Sequence, residues 1–239
     1  MSRSLVGIDL VIFDKDGTLI EFDAMWGGWA LGLAADLKQA TGAAIDSGLL
    51  EMLGVDPATG QILPGGGLAA TSMARLRERT RQLLVAAGLT RQAADRILEG
   101  AWHAPDPVVL ARPLADLAGL FHHLRAPGRR IAVATSDDRD PTQRTLAALG
   151  LTGEIDALVC ADDGVAAKPA PDMVLYVCDR LGVRPDRTAV VGDAPADLAM
   201  ARNAGAGLVI GVLSGVGDAE HLGPAADLLL PSVADLLLY

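Results

Sequence analysis

Short apolar runs without polar alternation recur along this chain, and stretches of helical periodicity lie between them. Six runs have the length and composition of strands buried on both faces, and they cover residues 10–13, 130–135, 157–160, 188–192, 207–211 and 227–230. Four helix-like stretches, each ending in glycine, cover residues 113–128, 140–150, 170–182 and 195–205. This alternation predicts an α/β fold built on a doubly wound parallel sheet.

A long helical segment interrupts the alternation after the first predicted strand. Residues 21–107 have a helical pattern, and a loop rich in Pro and Gly at 55–67 divides it. The predicted helical stretches of this segment are 24–42, 46–54, 69–88 and 91–104. We therefore expect residues 1–20 and 108–239 to form an α/β core domain that carries residues 21–107 as a helical cap domain.

Composition and charge narrow the class of protein. Hydrophobic residues make up 51% of the chain and aromatic residues only 3%, so we expect a core of aliphatic side chains, as in helices packed on a parallel sheet. The formal net charge of −10 argues against nucleic acid or an anionic membrane as a partner, because binding to either relies on clustered Lys and Arg. A small anionic substrate remains compatible with this net charge if positive charge is focused locally or a cation is recruited.

The cysteines and the N-terminal segment bear on the compartment. Cys160 and Cys178 lack the spacing of metal ligands, which favours two reduced, buried thiols. The apolar run near the N-terminus is short and ends in charges, and no window is apolar for long enough to span a bilayer. We expect a cytoplasmic protein without a membrane partner, as a monomer or a homodimer.

Polar residues follow the predicted strands, at the edge where open parallel sheets bind ligands. In chain order they are Asp14 and Asp16, Thr135 and Ser136, Asp162 and Asp163 with Lys168 soon after, and Asp193 with Asp197. A cluster of carboxylates repels an anion unless a divalent cation lies among them. Oxygen ligands of this kind suit Mg²⁺, which is commonly held by carboxylates and a substrate phosphate. The sequence therefore predicts a magnesium site.

The segment "VIFDKDGTLI", residues 11–20, places two aspartates at the end of the first strand. Phosphate monoesters hydrolyse very slowly unaided, and a two-step reaction through an aspartyl phosphate is one solution. Asp14 fits the nucleophile and Asp16 the proton donor if the chain curls after the strand, which Gly17 permits. Backbone N–H groups near Lys15 and Asp16 then bind phosphoryl oxygens, and we assign Lys15 and Gly17 to substrate binding. We expect the Lys15 side chain to point away, solvated or at the edge of the core.

Four motifs in order resemble the haloacid dehalogenase superfamily of phosphohydrolases. They are "DKDGTL", "VATS", the lysine of "AAKPAPDM", and "VVGDAPAD", and they lie between residues 9 and 211. The helical insert lies where the first cap class of the superfamily is placed. By this cap position the chain resembles the branch of phosphoglycolate phosphatases, and the resemblance implies a Rossmann-like core.

The resemblance also implies a role for each matched residue. Asp14 would be nucleophile and Mg²⁺ ligand, Asp16 general acid and base and a Mg²⁺ ligand through its carbonyl, Thr135 a hydrogen-bond partner of the phosphoryl group, Lys168 its counter-charge, Asp193 a direct Mg²⁺ ligand, and Asp197 a direct or water-mediated one. Dehalogenases lack the second aspartate, so Asp16 indicates phosphoryl transfer. Ser136 replaces the Asn of many relatives, and its backbone N–H still suits phosphate.

Several other residues allow either a functional or a structural interpretation. Trp26, which we assign to substrate binding, and Trp29 follow the catalytic loop closely, but such residues also serve as core or hinge packing, as do Trp102 and His103. The run "RLRERTR" at 75–81 either is a solvated helix face or offers an Arg to a substrate carboxylate or second phosphate. Loop 55–67 is a candidate specificity element. Asp162 and Asp163 are either acids near the metal or loop charges, and His122 and His123 are expected to be structural.

These observations favour a Mg²⁺-dependent phosphatase that hydrolyses a small phosphorylated metabolite through an aspartyl phosphate. A sugar phosphomutase of the same superfamily would share every catalytic residue. A non-catalytic phosphate-ester binding protein would need no proton donor, so Asp16 argues against it. A signalling receiver domain also places acids, a Thr and a Lys at strand ends, but it is about half as long and has no helical insert.

Overall fold

The structure, a computed structural model, describes residues 5–63, 65–103, 105–106 and 110–239, apart from the side chains of 23–25 and 69–70. Two compact units make up the chain. The first, here called the core unit, comprises Met1–Glu21 and Pro107–Tyr239. The second, here called the helical unit, comprises Phe22–Asp106.

The core unit contains a six-stranded parallel sheet, which confirms the predicted fold class. Its strands are β1 (Leu10–Phe13), β2 (Arg130–Ala134), β3 (Ala157–Val159), β4 (Thr188–Gly192), β5 (Leu208–Val212) and β6 (Leu228–Leu230). Their order is β3-β2-β1-β4-β5-β6. The sequence order reverses on either side of β1, so β1 and β4 flank the point at which an open parallel sheet binds its ligand.

Helices cover the sheet of the core unit. Numbered in chain order after those of the helical unit, the helices of the core unit within the described residues are α6 (Leu117–Arg125), α7 (Arg139–Ala148), α8 (Asp172–Leu181), α9 (Pro195–Ala204) and α10 (Ala219–Leu222). Short 3₁₀ helices lie at Thr152–Glu154, Pro185–Arg187 and Val233–Leu238. One apolar cluster joins Ile12 and Val190 of the sheet to Val177 of α8 and Leu198 of α9. Burial of such aliphatic side chains is the main stabilising contribution to the fold.

The register of the sheet places three loops at one edge. Phe13, the last residue of β1, pairs with Val133 of β2 and with Val191 of β4. Because the strands are parallel, the loops that follow β1, β2 and β4 begin side by side. Asp14, Asp16, Thr135, Ser136 and Asp193 lie in these loops, whereas Lys168 follows β3.

The helical unit consists of α1 (Asp23–Thr41), α2 (Asp46–Leu53), α3 (Gly67–Ala70), α4 (Met73–Ala86) and α5 (Arg91–Ala101). Helix α1 packs on α2 and α5, and α4 packs on α2 and α5. Its buried side chains are mainly leucines, among them Leu37, Leu49, Leu76 and Leu98. The loop between α2 and α3 lies so close to α1 that a side chain on Gly27 would collide with the Gly60 carbonyl oxygen.

Two helix predictions need correction. The stretch 69–88 is not one helix, because Thr71 and Ser72 have extended backbones that separate α3 from α4. The stretch 113–128 begins as a helix only at Leu117, where the Asp116 carboxylate caps the first turn by accepting a hydrogen bond from Gly119 N–H. Pro113 instead forms a bridge with Ile20.

None of the helices in the described ranges is long and apolar enough to cross a membrane.

Candidate active site

The chain curls sharply after β1, as the glycine in the segment predicts. Gly17 has a φ of 84° and donates a hydrogen bond from its N–H to the Ile20 carbonyl oxygen at 2.7 Å. The Lys15 carbonyl oxygen accepts hydrogen bonds from Leu19 and Ile20 N–H at 2.8 and 3.1 Å. A Cβ on residue 17 would collide with the carboxylate of Asp193. Glycine is therefore required here both for its backbone and for the close approach of Asp193.

Three carboxylates converge at the loops after β1 and β4. Asp14, Asp193 and Asp197 each offer an oxygen atom, and these atoms lie within 4.8 Å of one another. The Lys168 ammonium lies 2.5 Å from Asp14 Oδ1 and 2.6 Å from Asp197 Oδ1. All four side chains are buried. The sequence placed these residues at three different strand ends, and the structure brings them into one cluster.

The electrostatics of this cluster leave excess negative charge. Burial raises the pKa of Asp14 to about 7, although Lys168 lowers it, and Asp197 and Asp16 add to the increase. Burial also raises the pKa of Asp193 well above its ordinary range, with Asp14 and Asp197 contributing. Burial acts to lower the pKa of Lys168, but Asp14 and Asp197 outweigh it and the pKa is raised. One ammonium thus faces three clustered carboxyl groups and does not compensate all of them.

The donor set of the cluster fits a divalent cation. Buried carboxylates at this spacing are stable as anions only with further positive charge, and oxygen ligands suit Mg²⁺ better than soft transition metals. Asp14, Asp193 and Asp197 are the side chains that would hold such an ion. The predicted ligation by the Asp16 carbonyl oxygen stays a prediction.

Asp193 is held by residues to which the sequence analysis assigned no role. Its Oδ1 accepts a hydrogen bond from the Thr18 hydroxyl at 3.0 Å, and its Oδ2 accepts one from Val216 N–H at 2.9 Å. The Ser214 hydroxyl donates to the Gly17 carbonyl oxygen at 2.8 Å, which ties the loop after β5 to the loop after β1. Thr18 lies within the first motif, but nothing in the sequence marks the loop 213–217, because its role depends on tertiary packing.

Asp197 has one contact outside the cluster. Its Oδ2 accepts a hydrogen bond from the backbone N–H of Ala194, the residue that precedes α9, at 3.0 Å. The carboxylate therefore stabilises the first turn of α9 from the third helical position, as acidic residues commonly do. Its Oδ1 remains on Lys168. Helix α9 thus fixes the position of one of the three acids.

Thr135 and Ser136 follow β2 directly. Thr135 is buried, and its Oγ1 accepts a hydrogen bond from Asp137 N–H at 3.1 Å, which leaves the hydroxyl proton for another acceptor. Ser136 is half-buried. Their predicted contacts with a phosphoryl group stay predictions.

Lys15 differs from the solvated or core-edge side chain that the sequence suggested. Its side chain is 0% exposed, and its ammonium lies 2.6 Å from Asp16 Oδ2 and 3.3 Å from Asp137 Oδ2. Both are ion-pair distances. Lys15 Nζ is buried and has no aligned hydrogen-bond partner among the described residues, and the same is true of the other carboxylate oxygen of Asp16, Oδ1. The ammonium is therefore committed to two carboxylates, which leaves only its backbone N–H for the predicted phosphate contact.

Asp162 and Asp163 lie in the loop after β3, and both contact Arg139 at the start of α7. The Asp163 carboxylate forms a two-point ion pair with the Arg139 guanidinium, and Asp162 Oδ1 accepts a hydrogen bond from Arg139 N–H at 2.9 Å. Neither belongs to the carboxylate cluster among the described residues.

Both cysteines are free and buried, and burial raises the pKa of Cys160 to about 12. His122 and His123 are exposed on α6.

The tryptophans form a cluster of their own in the helical unit. Trp29 contacts Trp26 and Trp102 edge to face, with ring centroids 5.7 and 5.1 Å apart. The Trp29 indole N–H donates to the His103 carbonyl oxygen at 2.7 Å. Trp26 is buried, and its indole nitrogen has no hydrogen-bond partner among the described residues. Its predicted contact with substrate stays a prediction.

The remaining features of the helical unit are ordinary surface elements. Within the run 75–81, Arg81 forms ion pairs with Glu78 and, at 3.7 Å, with Asp95, as expected of a solvated helix face. In loop 55–67, Val55 bridges to Ile62, which closes the loop into a tight turn. Pro64 lies outside the described residues. Nothing in these contacts identifies a ligand.

Comparison with known proteins decides the family. The family model described as haloacid dehalogenase-like hydrolase matches residues 8–205, which include all four motifs and the whole carboxylate cluster. The chain belongs to the haloacid dehalogenase-like hydrolases. It is 30% identical over 203 residues to the phosphoglycolate phosphatase of Rhodospirillum rubrum, with 84% of this chain and 78% of the relative covered. It is 28% identical over 196 residues to that of Aquifex aeolicus, with 82% and 81% covered.

A solved structure supports the fold. The structure described as a predicted phosphoglycolate phosphatase from Haemophilus somnus superposes with a TM-score of 0.71 at 21% identity and covers 98% of each chain. At this identity the likeness concerns the fold alone. The predicted membership in the haloacid dehalogenase superfamily is thus confirmed, and with it the prediction of a hydrolase whose relatives include phosphoglycolate phosphatases.

Proposed function

We propose that this protein is a Mg²⁺-dependent phosphatase that hydrolyses a small phosphorylated metabolite through an aspartyl phosphate on Asp14. The observation that carries the proposal is the contact of Lys168 with both Asp14 and Asp197. Asp193 lies in the same cluster, and Asp16 follows Asp14 by two residues on the same loop. A buried nucleophilic carboxylate, a counter-charge and a second acid on the same loop are what phosphoryl transfer to a carboxylate requires.

Each residue has a distinct part in the proposed reaction. The Asp14 carboxylate attacks the phosphorus atom, and Lys168 keeps this carboxylate oriented and offsets charge on the phosphoryl oxygens. Asp16 donates its proton to the departing alkoxide oxygen and then takes a proton from the water that attacks the aspartyl phosphate. The Thr135 hydroxyl donates a hydrogen bond to a phosphoryl oxygen. A bound Mg²⁺ would supply positive charge between the acids and the phosphate.

The family relationship supports a phosphate ester as the substrate. Two of the curated relatives, each covering more than four fifths of this chain, carry the name phosphoglycolate phosphatase. A small anionic ester of this type is compatible with a chain of net charge −10 if Lys168 and a bound divalent cation together offset the clustered carboxylates. We propose a small phosphorylated metabolite of this class, with 2-phosphoglycolate as the first compound to assay.

The proposal is tested by phosphate release from a panel that contains 2-phosphoglycolate, hexose phosphates and p-nitrophenyl phosphate. The assay compares wild type with Asp14→Asn, each with Mg²⁺ or with a chelator. We expect release to depend on Mg²⁺ and to fall at least about 10³-fold in Asp14→Asn, because the nucleophile is lost. Asp179→Asn, an exposed acid on α8 with no part in the cluster, is the matched control and should keep full activity.

Two outcomes would redirect the proposal. Interconversion of hexose phosphates without net phosphate release would indicate a phosphomutase. Binding of the esters with no turnover of any of them would indicate a binding protein. Release that persists in Asp14→Asn would contradict the assignment of Asp14.

A further inference from the structure

Lys15 is a fully buried lysine that the proposed reaction does not use. Its side chain is 0% exposed, and no other described lysine is buried to this degree. Burial of an ammonium group is costly unless carboxylates surround it, and a buried lysine contributes nothing to surface solubility. Its partners are Asp16 at 2.6 Å and Asp137 at 3.3 Å.

Asp137 is held by more hydrogen bonds than the other carboxylate that pairs with Lys15, Asp16. Its N–H donates to Thr135 Oγ1 at 3.1 Å, its Oδ1 accepts a hydrogen bond from Asp138 N–H at 2.9 Å, and its carbonyl oxygen accepts one from Ala161 N–H at 3.0 Å. Only Oδ2 is left for Lys15. Asp137 therefore provides a fixed negative point at the carboxyl end of β2.

Asp16, in contrast, has little to hold its carboxylate. Its Oδ1 is buried without a hydrogen-bond partner among the described residues, and Lys15 Nζ is the cation within ion-pair distance of its Oδ2. A general acid must be placed within hydrogen-bond reach of the leaving oxygen, and an error of about 1 Å can lower the rate about a hundredfold. The position of the Asp16 carboxylate is thus set through Lys15.

We propose that Lys15 and Asp137 form a buried positioning pair that fixes the carboxylate of Asp16 for proton transfer to and from the substrate. The loop after β2 would in this way control the acid on the loop after β1. This inference rests on the proposed phosphatase function. It assigns no contact with substrate to either residue: Lys15 acts through Asp16, and Asp137 acts through Lys15.

The test uses the fact that leaving groups differ in their need for an acid. p-Nitrophenolate leaves readily without protonation, whereas an alkoxide requires a proton. The measurement is kcat/KM for p-nitrophenyl phosphate and for the alkyl phosphate of the panel that wild type hydrolyses fastest. For Lys15→Met we expect a loss of about 10- to 100-fold on the alkyl phosphate and less than about threefold on p-nitrophenyl phosphate.

A double substitution separates positioning from folding. Lys15→Met alone leaves two buried carboxylates without a counter-charge, so its melting temperature should fall. Lys15→Met with Asp137→Asn removes one of these charges and should recover part of that melting temperature. The selective loss on the alkyl phosphate should remain in the double variant, because Asp16 still lacks its partner. Asp137→Asn alone should show the same selectivity to a smaller extent.

Two further variants complete the experiment. In an Asp16→Asn background, Lys15→Met should change the residual kcat/KM by less than about twofold, since no carboxylate is left to position. Arg125→Met breaks a partly buried ion pair with Asp156, 2.6 Å long, at the amino end of β3. It should lower the melting temperature and leave the ratio between the two substrates unchanged.

Equal losses on both substrates in Lys15→Met and in the double variant would overturn the inference, as would a strong effect of Lys15→Met in the Asp16→Asn background. These results are distinct from failure of the proposed function. That failure would appear as a wild type that hydrolyses neither substrate.

Discussion

At the scale of single residues, Lys168 influences the protonation of the carboxyl groups that it contacts. It contacts Asp14 at 2.5 Å and Asp197 at 2.6 Å in a region closed to solvent. Removal of one partner from a buried ion pair leaves uncompensated charge, which costs about 3–5 kcal/mol of unfolding free energy. The carboxyl groups can escape this cost only by binding protons.

Lys168→Met should therefore lose stability in a pH-dependent manner. Without the ammonium, the pKa of Asp14 should rise above about 7. A folded state that holds protons which the unfolded state releases loses stability as the pH rises from about 4 towards that folded pKa. We expect a loss of about 3 kcal/mol at pH 8 and a smaller loss at pH 5, measured by urea unfolding without Mg²⁺.

The control for this variant is Lys38→Met. Lys38 pairs with Asp46 at 2.7 Å, but it is 57% exposed, so its loss should change the unfolding free energy by at most about 1 kcal/mol at either pH. A destabilisation of Lys168→Met that is equal at both pH values would contradict the account.

Gly17 gives a second prediction at this scale. Its φ is 84°, and a side chain would collide with Asp193. Gly17→Ala should lower the unfolding free energy by about 1–3 kcal/mol and weaken Mg²⁺ binding, as measured by unfolding and by calorimetric titration. Gly153→Ala, at an exposed position where a Cβ meets nothing within 4 Å, should change neither property appreciably. An unaltered Mg²⁺ affinity in Gly17→Ala would show that the close approach to Asp193 is unimportant.

At the scale of elements, the strands and loops differ in how far the sequence predicts them. The run 188–192 coincides with β4, because a continuous apolar run is sufficient to identify a strand buried on both faces. The helix from 113 begins at Leu117, since a capping hydrogen bond from Gly119 to Asp116 decides the boundary. Asp14 and Lys168 could be selected from their places after strands, whereas Asp137 and the loop 213–217 could not. Their contacts exist only once β2, β1, β4 and β5 lie side by side.

The loop after β5 should accordingly be sensitive to substitution. A Cβ on Gly215 would occupy the space of the Asp193 carboxylate, although nothing in the sequence pattern marks this glycine. Gly215→Ala should raise the Kd for Mg²⁺ about tenfold or more, because the added methyl group forces the Asp193 carboxylate out of its position in the cluster. Calorimetric titration of Mg²⁺ tests this expectation, and Gly153→Ala again serves as the control. An unchanged Kd would exclude this loop from the metal site.

At the scale of the whole molecule, excess negative charge in the cluster couples metal binding to stability and pH. The pKa of Asp14 is raised from 3.8 to about 7, chiefly by burial. In the metal-free protein this group lowers stability as the pH rises through that interval, because the unfolded state has already released its proton. Mg²⁺ competes with the protons, so its affinity should increase over the same interval.

Mg²⁺ should therefore stabilise the protein more at pH 8 than at pH 5. At a concentration about 100 times its Kd, we expect about 2.7 kcal/mol, or an increase of about 5–10 °C in melting temperature for a chain of this size at pH 8. At the same Mg²⁺ concentration and pH 5, the increase should be below about 2 °C. Asp193→Asn should show no increase at either pH, whereas Asp179→Asn should behave as wild type. A pH-independent increase in the wild type would contradict the coupling.

The central claim is that Asp14 receives the phosphoryl group. The most direct measurement is peptide mass spectrometry of Asp16→Asn after reaction with p-nitrophenyl phosphate and Mg²⁺, since this variant can form an aspartyl phosphate from a good leaving group but cannot activate water to hydrolyse it. We predict one phosphoryl group on Asp14, and none in the double variant Asp14→Asn with Asp16→Asn. A phosphoryl group on another residue, or a wild type that turns over while Asp16→Asn is never phosphorylated, would contradict the account.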